Sequence, residues 1–221
     1  QCPYILRFID FKYNGTNIEI ITPYIRRGDL AYIIKKRKKK FDENMIWSYL
    51  IQLCLGIQYL HTNHIIHRDL KNSNILINIT DHLYIADFGT SKVFFENNSM
   101  TQSFVGTPYY LSPEILNRQK YSFKIDIWGI GCILFEMISF TPPFMASNMK
   151  SLTKKILSTS FSKNLKLYSS MYSQPLISLV DDILILDESK RPDIFRLLAI
   201  PTISERMYLI PYITQKSYNI T

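Results

Sequence analysis

The chain has 221 residues, of which 47% are hydrophobic and 20% charged, so it is long and apolar enough for one globular unit and too weakly charged for a disordered chain. Its net charge of +8 does not by itself indicate nucleic-acid binding, because six positive charges lie in residues 35–40 and the remaining chain carries only +2. We interpret this basic block as the solvated end of a helix and its following loop; the alternative is a nuclear-targeting or phosphate-binding patch.

The first predicted elements are two strands over residues 5–11 and 18–22. They flank Asn14 and Gly15, a dipeptide that favours a tight hairpin turn. A long helix follows, because apolar residues recur at helical spacing from Ile46 to Leu60, and it should end near His61. Beyond it, short β-prone runs over residues 64–67, 75–77 and 83–85 predict three short strands separated by polar loops.

Helices are predicted for almost all of the chain after residue 126. The most apolar stretch, residues 125–140, contains Asp126 and Glu136, which indicates a buried helix and not a membrane span. Pro142 and Pro143 should close this helix, and Pro192 should stand near the first turn of a later one. The three cysteines are widely spaced, which argues against a disulfide framework or a zinc site and favours an intracellular protein with reduced thiols.

Four motifs occur in a fixed order along the middle of the chain. They are His-Arg-Asp-Leu-Lys-Asn-Ser-Asn (67–74), Asp-Phe-Gly (87–89), Gly-Thr-Pro-Tyr-Tyr-Leu-Ser-Pro-Glu (106–114) and Asp-Ile-Trp-Gly (126–129). In this order they resemble the signatures of eukaryotic Ser/Thr protein kinases. Together with residues 91–93 and 143–146, they are most similar to the NIMA-related kinases. The resemblance runs from the start of the chain to about Arg206.

This resemblance implies an α+β, protein-kinase-like fold. Residues 1–22 would be a remnant β-hairpin of the N-terminal lobe, and residues 23–206 the hinge and a mainly helical C-terminal lobe. Residues 207–221 would form a C-terminal extension. The implied activity is transfer of the γ-phosphate of ATP, with Mg²⁺ as cofactor, to a Ser or Thr hydroxyl of a protein substrate.

The implied catalytic residues are Asp69, Lys71, Asn74 and Asp87. Phosphoryl transfer has a loose transition state, so a protein mainly positions the hydroxyl group and offsets the charge of the phosphates. Asp69 would orient the substrate hydroxyl, and Lys71 would contact the moving phosphoryl group. Asn74 and Asp87 would offer the hard oxygen atoms that Mg²⁺ prefers. For an isolated aspartate, a turn or helix-capping role would be the default interpretation.

Residues 20–30 resemble the hinge that holds the adenine of ATP. Thr22 would be the gatekeeper, and Asp29 would contact the ribose. The adenine would bind the backbone carbonyl of Pro23 and the backbone N–H of Ile25. Proline stands where the family usually has glutamate, but it lacks only a donor that adenine does not need. Leu76 would form the floor under the adenine ring.

Regulatory roles are implied for Ser103, Thr107 and Arg68. Ser103 occupies the place where many kinases carry an activating phosphate, added by an upstream activator or by the kinase itself. That phosphate could pair with Arg68 and order the surrounding loop. Thr107 resembles the threonine that packs against the catalytic aspartate and lysine in Ser/Thr kinases.

Structural roles are implied for five residues. Glu114 and Arg191 resemble a buried ion pair that ties the activation segment to the helical base. Asp126 resembles the residue that holds the backbone of the catalytic loop. His67 is interpreted as a core histidine packed on Phe88.

The 221 residues contain no Gly-x-Gly-x-x-Gly loop of the kind that covers the phosphates in this family. We therefore expect a fragment of an active kinase, inactive when isolated; the alternative is a truncated, non-catalytic scaffold or binding protein. The retained catalytic residues favour the first interpretation. The expected partners are ATP and proteins with Ser or Thr, not nucleic acid or membranes. The expected location is the cytoplasm, with nuclear or cytoskeletal association left open.

Overall fold

The structure is a computed structural model, which describes residues 2–93, 108–158 and 165–210. Its strands are Asp10–Tyr13 (β1), Ile18–Ile21 (β2), Ile65–Ile66 (β3), Ile75–Ile77 (β4), Leu83–Ile85 (β5) and Lys92–Val93 (β6). Its helices are Leu30–Lys36 (α1), Glu43–Thr62 (α2), Pro113–Leu116 (α3), Lys124–Ser139 (α4), Met149–Ser158 (α5), Gln174–Ile183 (α6), Ile194–Leu198 (α7) and Pro201–Ser204 (α8). The α+β, helix-rich fold class predicted from the motifs is confirmed.

The predicted hairpin is present, but its first strand starts later than expected. β1 and β2 pair antiparallel, with Phe11 opposite Ile20, and Gly15 adopts a φ of 90° in the turn. The prediction of a strand from residue 5 is wrong, because Ile5 forms an isolated bridge with Ile85 of β5 instead. There the N–H of Leu6 donates to the carbonyl of Ile85 at 2.9 Å. Residues 5 and 6 are therefore bonded to β5 and not to the β1–β2 hairpin.

The core is built around α2 and α4. Asp42 caps the N-terminus of α2 by accepting a hydrogen bond from the N–H of Asn44 at 2.9 Å, and the helix ends one residue after the predicted end. Every residue from 125 to 139 in α4 is buried, as expected from its apolar sequence. Trp47 of α2 and Trp128 of α4 are both fully buried. These two helices form the base on which the loops of the middle segment lie.

The basic block is only partly solvated. It begins in the last turn of α1, as predicted. However, the Arg37 guanidinium lies 4.3 Å from the ring centroid of Phe41. Lys40 Nζ donates to the carbonyl of Ser139 at 3.1 Å, at the end of α4, and burial lowers the pKa of this ammonium group. Two of the six basic side chains thus contribute to packing and helix capping.

The described C-terminal part is helical, as predicted. α7 begins at Ile194 with Asp193 as its N-cap, and Pro192 directly precedes this cap, near the first turn of the helix. Asp193 satisfies the helix start by accepting a hydrogen bond from the N–H of Arg196 at 2.8 Å. Over the described ranges, none of the helices combines the length and the apolar character that a bilayer crossing requires.

Candidate active site

Asp69, Lys71 and Asn74 lie together in the loop between β3 and β4. Lys71 Nζ is 2.6 Å from Asp69 Oδ2, and both side chains are largely buried. Asn74 Nδ2 donates to the backbone carbonyl of Asp69 at 2.8 Å and to its Oδ2 at 3.2 Å. These bonds fix the carboxylate between an ammonium and an amide group, and they leave Oδ1 as the remaining side-chain acceptor of Asn74. An acidic group held in this way can accept a hydrogen bond from an incoming alcohol.

Asp87 follows β5 and stands next to Asn74 in the fold. The N–H of Ala86, the residue before it, donates to the carbonyl of Asn74 at 2.9 Å. Asp87 has a φ of 63°, its side chain is exposed, and its Oδ1 accepts a hydrogen bond from the N–H of Gly89 at 3.3 Å. Asp87 therefore follows directly after a residue whose backbone is bonded to Asn74. An amide oxygen and a carboxylate are the kinds of hard donor that suit Mg²⁺.

His67 connects this loop to the residue that follows β5. Its Nε2 donates to the carbonyl of Ala86 at 3.0 Å, while its Nδ1 accepts from the N–H of Asp69 at 3.3 Å. The ring is fully buried and contacts Phe88 edge-on, with the centroids 5.1 Å apart. Its two ring nitrogens thus form a structural link between the two parts of the site.

Asp126, at the start of α4, holds the backbone of the same loop. Its carboxylate accepts from the N–H of His67 at 2.9 Å and from the N–H of Arg68 at 3.0 Å. A third bond comes from His61 Nε2 at 2.9 Å. Burial alone would raise the pKa of Asp126, but the bonds from His61 and the loop bring this pKa below its ordinary value. These contacts hold Arg68 in the left-handed region, with a φ of 69°.

Arg68 also fastens the segment that follows Asp87. Its Nε donates to the carbonyl of Thr90 at 2.5 Å, and its Nη1 donates to the hydroxyl of Tyr121 at 3.3 Å. These bonds use two of the five guanidinium donors. Ser103 and Thr107 lie outside the described residues, so a contact between either of them and this loop stays a prediction.

Glu114 and Arg191 form a bidentate ion pair in the interior. Arg191 Nη1 and Nη2 donate to the two carboxylate oxygens at 2.7 and 3.0 Å, and the side chains are 0% and 3% exposed for Arg191 and Glu114. The guanidinium also donates to the carbonyls of Ile185 and Lys124, at 3.0 and 2.9 Å. α3, which follows the activation segment, is in this way tied to the loop before α7.

The residues assigned to the hinge come next after β2. Thr22 is exposed, whereas Pro23 and Ile25 are half-buried. Asp29 caps α1, because its Oδ1 accepts from the N–H of Tyr32 at 2.7 Å; its carboxylate keeps further acceptor sites for a ribose contact. Asp29 also forms an isolated bridge with Leu76 of β4. The predicted ribose contact and the predicted adenine floor are therefore neighbours.

Sequence analysis missed a buried network beneath the site. The hydroxyl of Tyr110 donates to Glu136 of α4, and Asn72 Nδ2 donates to the same hydroxyl at 3.3 Å. Burial raises the pKa of Glu136, although hydrogen bonding of its carboxylate with Tyr110 and Asn72 partly opposes the shift. The signal was present, since a glutamate inside the most apolar helix requires a buried partner. The contact of His61 with Asp126 was also missed, although an aspartate in the same apolar helix likewise requires a buried partner.

α4 passes directly under the catalytic loop. A Cβ added at Gly129 would lie 2.8 Å from the Cβ of Leu70, so only glycine allows this close approach. A cavity of about 20 Å³, enough for one water molecule, lies here; Asp69, Ser112 and Asp126 are among its lining residues. Ser112 Oγ is buried and lacks a hydrogen-bond partner among the described residues.

Comparison with known proteins agrees with the motifs. Residues 1–203 match the protein kinase domain family. The chain is 39% identical to serine/threonine-protein kinase Nek6 of Oryza sativa subsp. japonica, covering 96% of this chain and 38% of that protein. It is 33% identical to serine/threonine-protein kinase Nek2 of Homo sapiens (92% and 47%) and 34% identical to serine/threonine-protein kinase Nek1 of Mus musculus (94% and 17%). The chain thus spans less than half the length of each of these relatives.

Proposed function

Because this chain belongs to the protein kinase domain family and its relatives include NIMA-related Ser/Thr kinases, we propose that the protein containing it transfers the γ-phosphate of ATP to Ser or Thr hydroxyl groups of other proteins. The observation that carries this proposal is the cluster of Asp69, Lys71 and Asn74, with Asp87 beside it. A protein that only binds partners has no physical need for an acid, an ammonium and two oxygen ligands at one point.

In the proposed reaction the substrate hydroxyl oxygen attacks the γ-phosphorus, and the bond from that phosphorus to the β–γ bridging oxygen breaks, so that ADP leaves. Asp69 orients the hydroxyl group and takes its proton. Lys71 places its positive charge on the transferring phosphoryl group, where negative charge is distributed in the transition state. The buried supports of the loop, Asp126 and His67, hold these groups in position before the substrate arrives.

Mg²⁺ is the implied cofactor, and the residues present fit it. Asn74 Oδ1 and the Asp87 carboxylate would hold the ion, which supplies charge neutralisation at the phosphates when bound. The Asp87 side chain is exposed, and its Oδ2 accepts no bond from the Gly89 N–H, so this carboxylate is accessible to the ion. The purine end of ATP would bind between Leu76 and the hinge carbonyl of Pro23.

The choice of Ser and Thr over Tyr rests on Lys71, two residues after Asp69, and on Thr107. Regulation is proposed through Ser103, whose phosphate would use the remaining donors of Arg68. Ser103→Ala is then expected to lower activity. Full turnover by fully dephosphorylated wild-type enzyme would reject this regulatory role.

The test is a phosphotransfer assay on the complete gene product that includes these 221 residues, with Mg²⁺, ATP and a peptide library carrying one Ser, Thr or Tyr each. We expect transfer to Ser and Thr peptides, reduced at least about a hundredfold by Asp69→Asn. Asp187→Asn, a matched change at an exposed surface position, should retain activity. Equal incorporation above background in wild type and Asp69→Asn would show that Asp69 is not the catalytic residue. Incorporation at background in both would reject the catalytic proposal and favour the non-catalytic scaffold.

A further inference from the structure

Arg27, in the loop between the hinge and α1, reaches the turn between β4 and β5. Its Nη1 forms an ion pair with Asp81 Oδ1, and the two side chains are 30% and 40% exposed. Asp81 adopts a φ of 59° in this tight turn. The contact connects positions 54 residues apart in the sequence, so no local rule requires it.

The acceptor of this ion pair is fixed from the other side by α2. The buried hydroxyl of Tyr49 donates to the same Asp81 Oδ1 at 2.5 Å. Gln52, which is fully buried, donates to the Asp81 carbonyl at 3.2 Å and accepts from the N–H of Leu83 at 2.8 Å. Asp81, in the turn between β4 and β5, is therefore bonded to the core helix α2, and Arg27 adds a contact to the same carboxylate from the loop before α1.

The residues after Arg27 are those that approach the proposed nucleotide site. The N–H of Ile77 in β4 donates to the carbonyl of Gly28 at 2.9 Å, and Gly28 has a φ of 84°. Asp29 follows and bridges to Leu76. The Arg27–Asp81 ion pair, the Ile77–Gly28 hydrogen bond and the Asp29–Leu76 bridge together hold residues 27–29 against β4, the strand that carries the proposed adenine floor.

We propose that Arg27, through its ion pair with Asp81, is a positioning residue that sets the hinge loop and Asp29 at the correct distance from Leu76 for binding the nucleoside part of ATP. This inference rests on the proposed function, because it assigns the nucleoside to the site between the hinge and β4. The side-chain contact of Arg27 is with Asp81 in the β4–β5 turn, outside the loop that carries Asp69, Lys71 and Asn74. Its loss should therefore weaken nucleotide binding and leave the chemical step unchanged.

The adjacent Arg26 offers a matched control. It carries the same charge one residue earlier, but its side chain is exposed. In the complete gene product, Arg27→Gln should raise the KM for ATP about fivefold, while kcat and the KM for a peptide substrate stay within about twofold. Arg26→Gln should leave all three constants within about twofold. Arg27→Lys should recover part of the loss, because an ammonium group can still pair with Asp81.

Coupling to Asp81 is measured by a double-mutant cycle. Asp81→Asn should raise the KM for ATP as Arg27→Gln does, and the double variant should be no worse than either single variant. The proposal is overturned if the Arg27→Gln and Arg26→Gln variants have the same KM for ATP. It is also overturned if Arg27→Gln lowers kcat as much as it raises this KM, because that result would indicate general disruption.

A readout that does not depend on activity separates this inference from the proposed function. Hydrogen exchange at the Ile77 amide should be faster in Arg27→Gln than in wild type and unchanged in Arg26→Gln, because this amide donates to Gly28. Equal exchange in all three proteins would overturn the positioning role of Arg27. If the exchange difference were present but wild type neither bound nor hydrolysed ATP, the proposed function would fail. The Arg27–Asp81 ion pair would then be a structural link only, and its assigned role in nucleotide binding would be overturned.

Discussion

Breaking the Glu114–Arg191 ion pair from one side should be among the most destabilising single changes in the chain. Glu114→Gln removes the negative charge but leaves the guanidinium buried, with 0% of the Arg191 side chain exposed. Truncating one partner of such a pair typically costs about 3–5 kcal/mol, because the remaining charge is desolvated and unpaired. Domain stabilities are only about 5–15 kcal/mol, so this loss is a large fraction of the total.

Removing both charges together should lower the free energy of unfolding by less than removing one. In the double variant Glu114→Leu, Arg191→Met no charge is left buried, and the main loss is the donor to the carbonyls of Ile185 and Lys124. Two unmade hydrogen bonds to neutral acceptors correspond to about 1–3 kcal/mol. The double variant should therefore be more stable than Glu114→Gln. In other proteins, replacing a buried ion pair with apolar residues of similar volume can leave the stability equal to that of the wild type.

Urea unfolding, followed by tryptophan fluorescence, measures these differences, since Trp128 lies 5.1 Å from the Arg191 guanidinium. Arg196→Met is the control: Arg196 and Asp193 form an exposed pair at 3.9 Å, and its loss should change the free energy of unfolding by less than about 1 kcal/mol. The reasoning is refuted if Glu114→Gln costs no more than this control, or if the double variant is less stable than the single one.

Three further outcomes are expected. Lys40→Ala removes the ammonium group that caps the end of α4 and should lower the free energy of unfolding by about 1–2 kcal/mol in urea titrations, whereas Lys39→Ala, at an exposed position, should change it by less than about 0.5 kcal/mol. Gly129→Ala forces a Cβ within 2.8 Å of the Cβ of Leu70 and, in the complete gene product, should reduce kcat at least about tenfold in the folded fraction; an unchanged kcat would contradict the tight contact between α4 and the loop. Because the folded pKa of Asp126 lies below its unfolded value of 3.8, its contribution to stability is complete above that pH and is lost as the pH falls from there toward the folded pKa. Unfolding measured from about pH 5 to about pH 2 should show this loss in wild type and a shallower slope in Asp126→Asn.

Local patterns in the sequence predicted most of the elements. β4 and β5 have the predicted bounds, and α2 differs by a few residues at its start, because helical periodicity and turn residues act over short distances. The error at Ile5 has a different origin. Its partner Ile85 is 80 positions away, and β-propensity does not identify which strand an apolar residue will join.

For the site, the motif order predicted which residues assemble, but not what supports them. Asp126 was expected to hold the loop, whereas its third partner His61, 65 residues earlier, was not. The Tyr110–Glu136 contact and the docking of Lys40 onto the end of α4 were missed for a common reason. Polar side chains choose partners in three dimensions, and a sequence shows only that a buried charge needs one.

The left-handed backbone of Arg68 and Asp87 has a consequence for the order of folding. Each of these non-glycine residues adopts a conformation that costs about 1 kcal/mol or more in an unfolded segment. The bonds that hold Arg68 come from α4, 58 residues later in the chain. In a chain whose helices have formed but whose α4 has not yet packed against the loop with Arg68, that loop lacks the bonds that hold its backbone in place. During refolding of the complete gene product, the proposed phosphotransfer activity should accordingly return with the slowest tertiary phase, after the far-ultraviolet signal of the helices has already recovered.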